Sequence, residues 1–292
     1  MNFEKGFIQI TINMKILFYS VITIFLYSTC SKNNNDNLVS LKETQINLST
    51  HKLAAYSITN KSKYLIVFES GCGDGHSVWN EKNIITEISK SSDVLLYDRA
   101  GYDKSGTGPG PRNIERLRTE LDSVISKFLN GRRVILVGHS LGGLIIRDYA
   151  IKNPGKTAAI LFVDPSHEYY NQLSQALEDS LYNIFNSAYG ENFGGTMEVR
   201  ELIEDFQYAS TLPDLPDVPV IVLTSMKQDA NNNESDAAYG ASRQKWYDAH
   251  ELLRKGVTDF THIATTNSGH YIMRTEPNLV IDNIKLLISK LP

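Results

Sequence analysis

An apolar run that leads directly into a glycine-flanked serine is the feature that most restricts how this chain can fold. Residues Arg133–Val137 have the pattern of a buried β-strand, and Gly138-His139-Ser140-Leu141-Gly142 follows without a break. A helical pattern then continues to about Asn153, where Pro154-Gly155 ends it. A strand, a tight turn and a helix in immediate succession are typical of α/β proteins.

Similar apolar runs recur along the chain and alternate with helical patterns. Two short strands are predicted within Leu41–Ile58, and an amphipathic helix is predicted over Asn113–Leu129. The other strand candidates are Lys63–Glu69, Asp93–Asp98, Ala158–Asp164, Val218–Thr224 and Phe260–Ala264. Continuous apolar strands of this kind belong to a parallel sheet that helices cover on both faces. We therefore expect a single α/β domain over residues 41–292, closed by a helix from about Pro277 to Leu291.

One region interrupts this alternation. Residues 168–212 have no strand pattern, are helical in composition and end near Pro213 and Pro216. Their aromatic side chains are Tyr169, Tyr170, Tyr182, Phe185, Tyr189, Phe193, Phe206 and Tyr208. An insertion between two core strands is expected to form a helical cap over the site, with most of these aromatics in a small core of its own.

Ser140 is the candidate nucleophile. A Gly-x-Ser-x-Gly sequence between a buried strand and a helix has the context of a nucleophile elbow, in which the serine hydroxyl projects above the sheet. The backbone N–H of Leu141, at the start of the helix, is then positioned to stabilise a developing oxyanion.

Gly71-Cys72-Gly73 ends an earlier strand and is the candidate second half of an oxyanion hole. The backbone N–H of Cys72 is the predicted donor, and its thiol has no role in that prediction. The alternative is an ordinary strand-to-helix turn. Cys72 is not expected to be a nucleophile, because no base motif accompanies it.

His270 is the candidate general base, because it lies in a loop between the last strand and the last helix and can reach the serine from there. A carboxylate must hold its imidazole in the correct tautomer. Asp164 ends the strand that follows the serine helix, and Asp229 follows the next strand. Both preserve the order Ser, Asp, His, so spacing leaves the choice between them open.

Composition argues against several other functions. The chain has 292 residues and a formal net charge of −4, which gives no indication of a nucleic-acid partner. No pair of histidines or cysteines has metal-ligand spacing, so neither a metal nor another cofactor is expected. The two cysteines, Cys30 and Cys72, lie in different contexts and are not expected to form a disulfide.

The N-terminal residues 1–30 have the pattern of a signal peptide or lipoprotein signal. Lys15 precedes an apolar run, Ile16–Tyr27, that is short for a membrane span and ends at Ser28-Thr29-Cys30. Translation from Met14 instead of Met1 would make this signal compact. Cys30 resembles the lipid-modified cysteine of bacterial lipoproteins, and residues 31–40 would then be a polar tether to the membrane.

This pattern predicts an exported protein of the bacterial cell envelope, facing the periplasm or the surface. The alternatives are plain secretion, an uncleaved N-terminal anchor over Phe7–Leu26, or a cytoplasmic location.

With these features placed, the chain resembles the α/β-hydrolase superfamily over residues 41–292. The matching motifs, in order, are Glu69-Ser70-Gly71-Cys72-Gly73, Asp98-Arg99-Ala100-Gly101-Tyr102 with Ser105, Gly138–Gly142 and Ser268-Gly269-His270-Tyr271. The resemblance implies eight mostly parallel strands, helices on both faces and no cofactor. Within the superfamily, the chain is similar to a group whose corresponding strand ends in Val-Asp-x-Ser-His, which favours Asp164 over Asp229 as the acid.

Two positions depart from the usual pattern of the superfamily. Asp103 occupies a position where glycine or another small residue is usual, and Glu69-Ser70-Gly71 replaces the common His-Gly. Neither change removes a catalytic group, because backbone amides act at the oxyanion hole.

The residues and the resemblance together predict a serine hydrolase that acts on an ester or a related small-molecule acyl substrate. The enzymatic alternatives are a peptidase, a thioesterase or a lactonase that uses the same triad. The non-enzymatic alternative is a surface binding protein with little turnover. The aromatic residues of the expected cap favour a substrate with an apolar acyl or alcohol portion.

Overall fold

Eight strands form one sheet in the order β1-β2-β4-β3-β5-β6-β7-β8 in a computed structural model. The structure describes residues 39–227 and 236–292, with the backbone alone for residues 236–240. The strands are β1 (Lys42–Asn47), β2 (Lys52–Ile58), β3 (Tyr64–Glu69), β4 (Asp93–Tyr97), β5 (Arg133–His139), β6 (Thr157–Val163), β7 (Val220–Ser225) and β8 (Phe260–Thr265). The predicted eight-stranded, mostly parallel sheet is confirmed.

The helices of the described residues follow the strands in alternation from β3 onward. They are α1 (Ile84–Ile88), α2 (Ile114–Phe128), α3 (Leu141–Lys152), α4 (Gln175–Tyr189), α5 (Gly194–Val199), α6 (Leu202–Ala209), α7 (Asp236–Glu251), α8 (Ile272–Thr275) and α9 (Pro277–Lys290). Short 3₁₀ helices cover His76–Trp79 and Leu252–Arg254. None of the helices in this described part is long and apolar enough to cross a membrane.

Strand direction brings the ends of several strands to one edge of the sheet. β1 pairs with β2, and β2 with β4, in antiparallel fashion. All later pairings are parallel, with β3 next to both β4 and β5. The carboxyl ends of β3, β5, β6 and β7 therefore meet at the same edge, which is where open parallel sheets bind ligands.

The sheet separates two apolar cores because successive side chains of a strand point to opposite faces. On β3, Leu65 and Val67 face the core formed with α2 and α3, whereas Ile66 and Phe68 face the core formed with α1 and α9. Burial on both faces explains why the strands appear in the sequence as continuous apolar runs.

A third, smaller core lies among α4 and its neighbours in the region expected to be the cap. Leu177, Leu181, Phe185 and Val199 form its buried centre. Cys72 packs against this core from the turn after β3, so the helices of residues 175–209 contact the candidate oxyanion turn.

Several expectations concern residues outside the described ranges. The signal, residues 31–38 of the tether, Met14 and Cys30 lie before residue 39, and Asp229 lies between residues 227 and 236. Helix α7, which no sequence pattern had indicated, begins just after that second gap.

Candidate active site

Ser140 lies at the sharp turn between β5 and α3. Its backbone has φ 53° and ψ −124°, a combination that costs free energy for any residue with a side chain. The Ser140 carbonyl accepts hydrogen bonds from the N–H groups of Gly143 and Ser166, each at 2.9 Å, which hold the turn in place. The turn brings Ser140 to the carboxyl edge of the sheet, and Leu141 is the first residue of the helix that follows.

The glycine two residues after Ser140 is required by close packing. A Cβ atom at Gly142 would lie 2.5 Å from the carbonyl oxygens of both Glu69 and Ser70. Only glycine therefore lets α3 begin this close to the end of β3. The same contact places the start of the serine helix against the turn that contains Cys72.

The candidate oxyanion turn lies directly beside Ser140. A Cβ atom at Gly71 would lie 3.2 Å from the Cβ of Ser140 and 2.9 Å from Nδ1 of His139. Cys72, the next residue, is therefore close enough to the serine for its backbone to face the same reacting atom. Leu141 directly follows Ser140 in the chain, and the turn that contains Cys72 follows β3, the strand that pairs with β5.

His270 and Asp164 are joined by a hydrogen bond of 2.7 Å between Nδ1 and Oδ2. Because the carboxylate accepts, Nδ1 carries the proton and Nε2 is left as the basic nitrogen. His139, the residue before Ser140, donates from Nε2 to the His270 carbonyl at 3.0 Å, and the two imidazole rings lie 4.5 Å apart. The histidine is thus held next to the serine turn.

The Asp164 side chain is buried, and its oxygens accept from three donors. Oδ1 accepts from the Ser225 N–H at 2.8 Å and from the indole of Trp246 at 2.7 Å, while Oδ2 accepts from His270. Burial by itself would raise the pKa of this carboxyl, but the hydrogen bond and charge of His270, followed by smaller contributions, hold it below its usual range. The group is therefore ionised at neutral pH. Its backbone φ of 47° places it, like Ser140, in a conformation unusual for a non-glycine residue.

The loop that carries His270 is fixed at its base by Glu276. Oε2 of Glu276 accepts from the hydroxyls of Thr265 and Ser268, each at 2.5 Å. The Ser268 carbonyl in turn accepts from the Ser225 hydroxyl at 2.6 Å. These bonds tie the histidine loop to the ends of β7 and β8.

The Cys72 thiol is poorly suited to act as a nucleophile. Burial is the main cause that raises the pKa of this thiol well above its usual value. The thiolate needed for nucleophilic attack is therefore disfavoured at neutral pH. The sequence likewise gave no reason to expect a nucleophile at Cys72, and the role of its amide stays a prediction.

His76, Asp98 and Asp103 form a cluster that sequence spacing had not indicated, with ligand atoms within 4.8 Å of one another. Asp98 Oδ1 accepts from the His76 ring at 2.7 Å, and its Oδ2 accepts from the Tyr56 hydroxyl at 2.8 Å. Both oxygens are thus engaged by protein donors, and the cluster links the loop after β3 to that after β4. Asp103, with φ 37°, takes a left-handed conformation at the position where a small residue is usual.

A cavity of about 490 Å³ lies to one side of these residues, next to the loop after β6. Its lining consists of His167, Glu168, Tyr169, Asn171, Gln172, Leu173, Ile203, Phe206, Gln207, Ser210 and Leu252. None of these is Ser140, Cys72 or His270. The cavity therefore does not locate the reacting part of a substrate.

Three residues near the site had no functional role in the sequence analysis. Trp246 reaches Asp164 from α7, while Arg99 and Glu198 form a buried pair beside the oxyanion turn. Arg99 had appeared only as part of a family motif. Trp246 and Glu198 lie in helices, and their partners are 82 and 99 positions away in the chain, so no local pattern could have indicated them.

Comparison with known families agrees with this architecture. The profile described as the α/β-hydrolase fold matches residues 64–283, about three quarters of the chain. The protein therefore belongs to the α/β-hydrolase fold family.

Two curated relatives come from Bacillus subtilis and are themselves uncharacterized proteins. YbdG is 26% identical over 159 residues, covering 52% of this chain and 49% of its own length. YqjL is 25% identical over 215 residues, covering 74% of this chain and 79% of its own length. The chain thus spans about half the length of the first relative and more of the second.

Solved structures share the fold at low identity. Epoxide hydrolase CorEH has a TM-score of 0.67 and 15% identity, with 86% of this chain and 99% of that chain covered. A thermophilic esterase from Thermogutta terrifontis has a TM-score of 0.66 and 14% identity, with 85% and 98% covered. At such identities the likeness shows a common fold and does not extend to the substrate.

Proposed function

We propose that the protein is a serine hydrolase that cleaves a carboxylic ester, with Ser140 as nucleophile, His270 as general base and Asp164 as the acid that orients it. The observation that carries the proposal is the 2.7 Å bond between Asp164 and His270, beside a strained serine at the carboxyl edge of the sheet. Nucleophile, base and orienting carboxylate are the parts that acyl transfer requires.

In the proposed reaction, Nε2 of His270 takes the hydroxyl proton as Oγ of Ser140 attacks the carbonyl carbon. The carbonyl oxygen becomes an oxyanion, which the backbone N–H groups of Cys72 and Leu141 stabilise. Collapse of this intermediate breaks the ester bond, and His270 gives its proton to the leaving alcohol. A water molecule, deprotonated by His270, then attacks the acyl-enzyme and releases the acid with Ser140 restored.

Aromatic side chains beside the oxyanion turn support an ester with an apolar portion. A Cβ atom at Gly73 would lie 3.5 Å from the Phe185 ring, so this ring is next to the turn. Phe185 belongs to a group of rings in contact with one another that includes Tyr102, Tyr189 and Phe193. Apolar acyl or alcohol groups are suited to such surroundings.

A fluorophosphonate probe tests the nucleophile directly. We expect the wild-type protein to be labelled on Ser140 and to hydrolyse nitrophenyl esters. We expect Ser140→Ala to lose both properties, and Ser126→Ala, an exposed serine on α2, to keep both. Activity in Ser140→Ala above a few per cent of wild type would show that the nucleophile is misassigned. A folded wild-type protein that neither labels nor turns over ester would instead be a binding protein.

A substrate panel separates the ester proposal from its enzymatic alternatives. Esters of increasing acyl length are compared with thioesters, lactones and peptide amides of matched structure. We expect the highest kcat/KM for an ester, and a higher value for a thioester, lactone or amide would replace this proposal with the corresponding activity.

We further propose that the protein is exported and anchored through a lipid on Cys30. The support is the sequence pattern of residues 1–30 alone. In bacterial cells, we expect the wild-type protein to partition into detergent with the membrane fraction and Cys30→Ala to lose that partitioning. Equal partitioning of the two proteins would overturn the lipid anchor.

A further inference from the structure

Arg99 lies buried between the candidate oxyanion turn and helix α5, with 2% of its surface exposed. Its Nη1 donates to the Ser70 carbonyl at 2.7 Å, and its Nη2 donates to the Gly71 carbonyl at 2.8 Å. On its other side, Nε and Nη2 donate to the carboxylate of Glu198 at 2.7 and 2.9 Å. Glu198 comes from α5 and is fully buried. One guanidinium therefore connects α5 to the turn after β3.

Tyr102 holds the other side of the same turn. Its hydroxyl donates to Oε2 of Glu198 at 2.6 Å and accepts from the N–H of Gly73 at 3.1 Å. The residues before and after Cys72 are thus each held by a side chain that is itself bound to Glu198. Glu198 is the common partner of both.

The direction of the Cys72 amide follows from peptide geometry. The carbonyl of Gly71 and the N–H of Cys72 belong to one planar trans peptide, in which they point in opposite directions. Arg99 binds that carbonyl, so it also fixes the direction of the N–H on the other side. The positive charge of the guanidinium polarises the peptide further and strengthens the N–H as a donor.

We propose that Glu198 is a positioning residue for the oxyanion hole, acting through Arg99 and Tyr102 on the backbone of Cys72. This inference rests on the proposed function, because it assigns a role within the same reaction. It gives helix α5 a part in catalysis beyond covering the site. Nη1 of Arg99 also pairs with Oε1 of Glu69 at 2.8 Å, so Arg99 keeps one carboxylate partner when Glu198 is lost. Glu198 holds Nη2, the nitrogen that binds the Gly71 carbonyl, and without it the Cys72 amide would lose its fixed orientation.

Two variants test the proposal with different risks to folding. Glu198→Gln keeps the size of the side chain and one acceptor for Arg99 but removes the charge. Tyr102→Phe removes only one hydroxyl and leaves the ion pair between Arg99 and Glu198 in place. If Glu198→Gln fails to fold, as loss of a buried partner charge can cause, Tyr102→Phe decides the question.

For both variants we expect kcat for nitrophenyl esters to fall roughly 10- to 100-fold while KM changes little, as for an interaction made mainly in the transition state. A boronic acid that forms a tetrahedral adduct with Ser140 should lose affinity by a similar factor, because its adduct needs the oxyanion donors. Binding of the product carboxylate should be unchanged. If Glu198 had only a structural role, its loss would weaken binding of the boronic acid and of the product carboxylate to a similar extent.

Asp205→Asn is the matched control. Asp205 is a buried carboxyl on α6, close in sequence to Glu198, and it accepts from the Ile114 N–H at 2.8 Å instead of contacting the oxyanion turn. At neutral pH we expect this variant to keep the kcat and the boronate affinity of the wild-type protein.

The outcomes distinguish the positioning role of Glu198 from the proposed function of the protein. Wild-type kcat and boronate affinity in folded Glu198→Gln and Tyr102→Phe would overturn the positioning role alone, as would equal losses in Asp205→Asn. A wild-type protein that is not labelled by fluorophosphonate and does not hydrolyse esters would overturn the proposed function, and the positioning role with it.

Discussion

Trp246 donates its indole N–H to Oδ1 of Asp164 over 2.7 Å. The indole is nearly buried, with 5% of the residue exposed, so water does not compete well for this bond. It occupies the carboxylate oxygen that faces away from His270, together with the Ser225 N–H. Helix α7 thereby fixes the rotation of the carboxylate and leaves Oδ2 directed at the imidazole.

Replacing Trp246 with Phe should lower kcat for ester hydrolysis roughly tenfold. A hydrogen bond to a charged group contributes about 1.5–3 kcal/mol, and the substitution removes one such bond from Asp164. Tyr247→Phe, on the same helix, is the control, because the Tyr247 ring stacks on His262 and not on the triad. Steady-state kinetics of the two variants give the comparison. Equal kcat values would mean that Ser225 and His270 suffice to orient the carboxylate.

Asp164→Asn should lower kcat by roughly 10³- to 10⁴-fold with little loss of fold, because an amide cannot hold His270 in the required tautomer. Asp229→Asn, assayed in parallel, should remain close to wild type. The structure supports this ranking through the 2.7 Å bond between Asp164 and His270. Asp229 lies outside the described residues, so its own variant is the necessary counterpart. Loss of activity in Asp229→Asn alone would transfer the role of the acid to that residue.

The sheet could be predicted from the sequence because its signals are local. Burial on both faces makes β5 and β6 continuous apolar runs, and glycine and proline mark the ends of the helix between them. The serine turn was found for the same reason, since strand, turn and helix lie within about twenty consecutive residues. These patterns need no knowledge of distant contacts.

The partners of the site could not be predicted because they depend on tertiary contacts. Spacing alone left Asp164 and Asp229 as equal candidates, since both follow a strand whose end lies at the same edge. Helix α7 was not predicted because its sequence has no clear apolar stripe. Its buried side mixes aromatic and polar residues, among them Trp246 and His250. Glu198 could not be predicted because its partner Arg99 is 99 positions away in the chain.

The packing at Gly142 predicts a cost for even one added carbon atom. In Gly142→Ala the new Cβ would lie 2.5 Å from two backbone carbonyl oxygens, those of Glu69 and Ser70, and backbone atoms cannot move aside easily. We expect a loss of about 1–3 kcal/mol in the free energy of unfolding, together with lower kcat because the oxyanion turn is displaced. Gly155→Ala is the control, since nothing lies within 4 Å of its added Cβ. Chemical denaturation that gives equal midpoints for the two variants would contradict the close contact.

Asp205 should make the protein less stable as the pH rises from about 4 to about 8. Burial raises the pKa of this carboxyl from 3.8 to about 8. Because the folded state binds the proton more tightly than the unfolded chain, the stability that this proton contributes is complete below about pH 4 and is lost as the pH rises through about 8. Asn at this position has no proton to lose and still offers an oxygen to the Ile114 N–H.

The difference in the free energy of unfolding between the variant and the wild-type protein should therefore change with pH and not stay constant. At about pH 4 and below, Asp205→Asn and the wild-type protein should have similar free energies of unfolding. By about pH 9, the variant should be the more stable one, on the order of a few kcal/mol, since one pKa unit corresponds to about 1.4 kcal/mol. Urea denaturation at a series of pH values measures both curves. Parallel curves would mean that the Asp205 carboxyl is already ionised in the folded protein at neutral pH, and that the helix of residues 202–209 accommodates a buried negative charge.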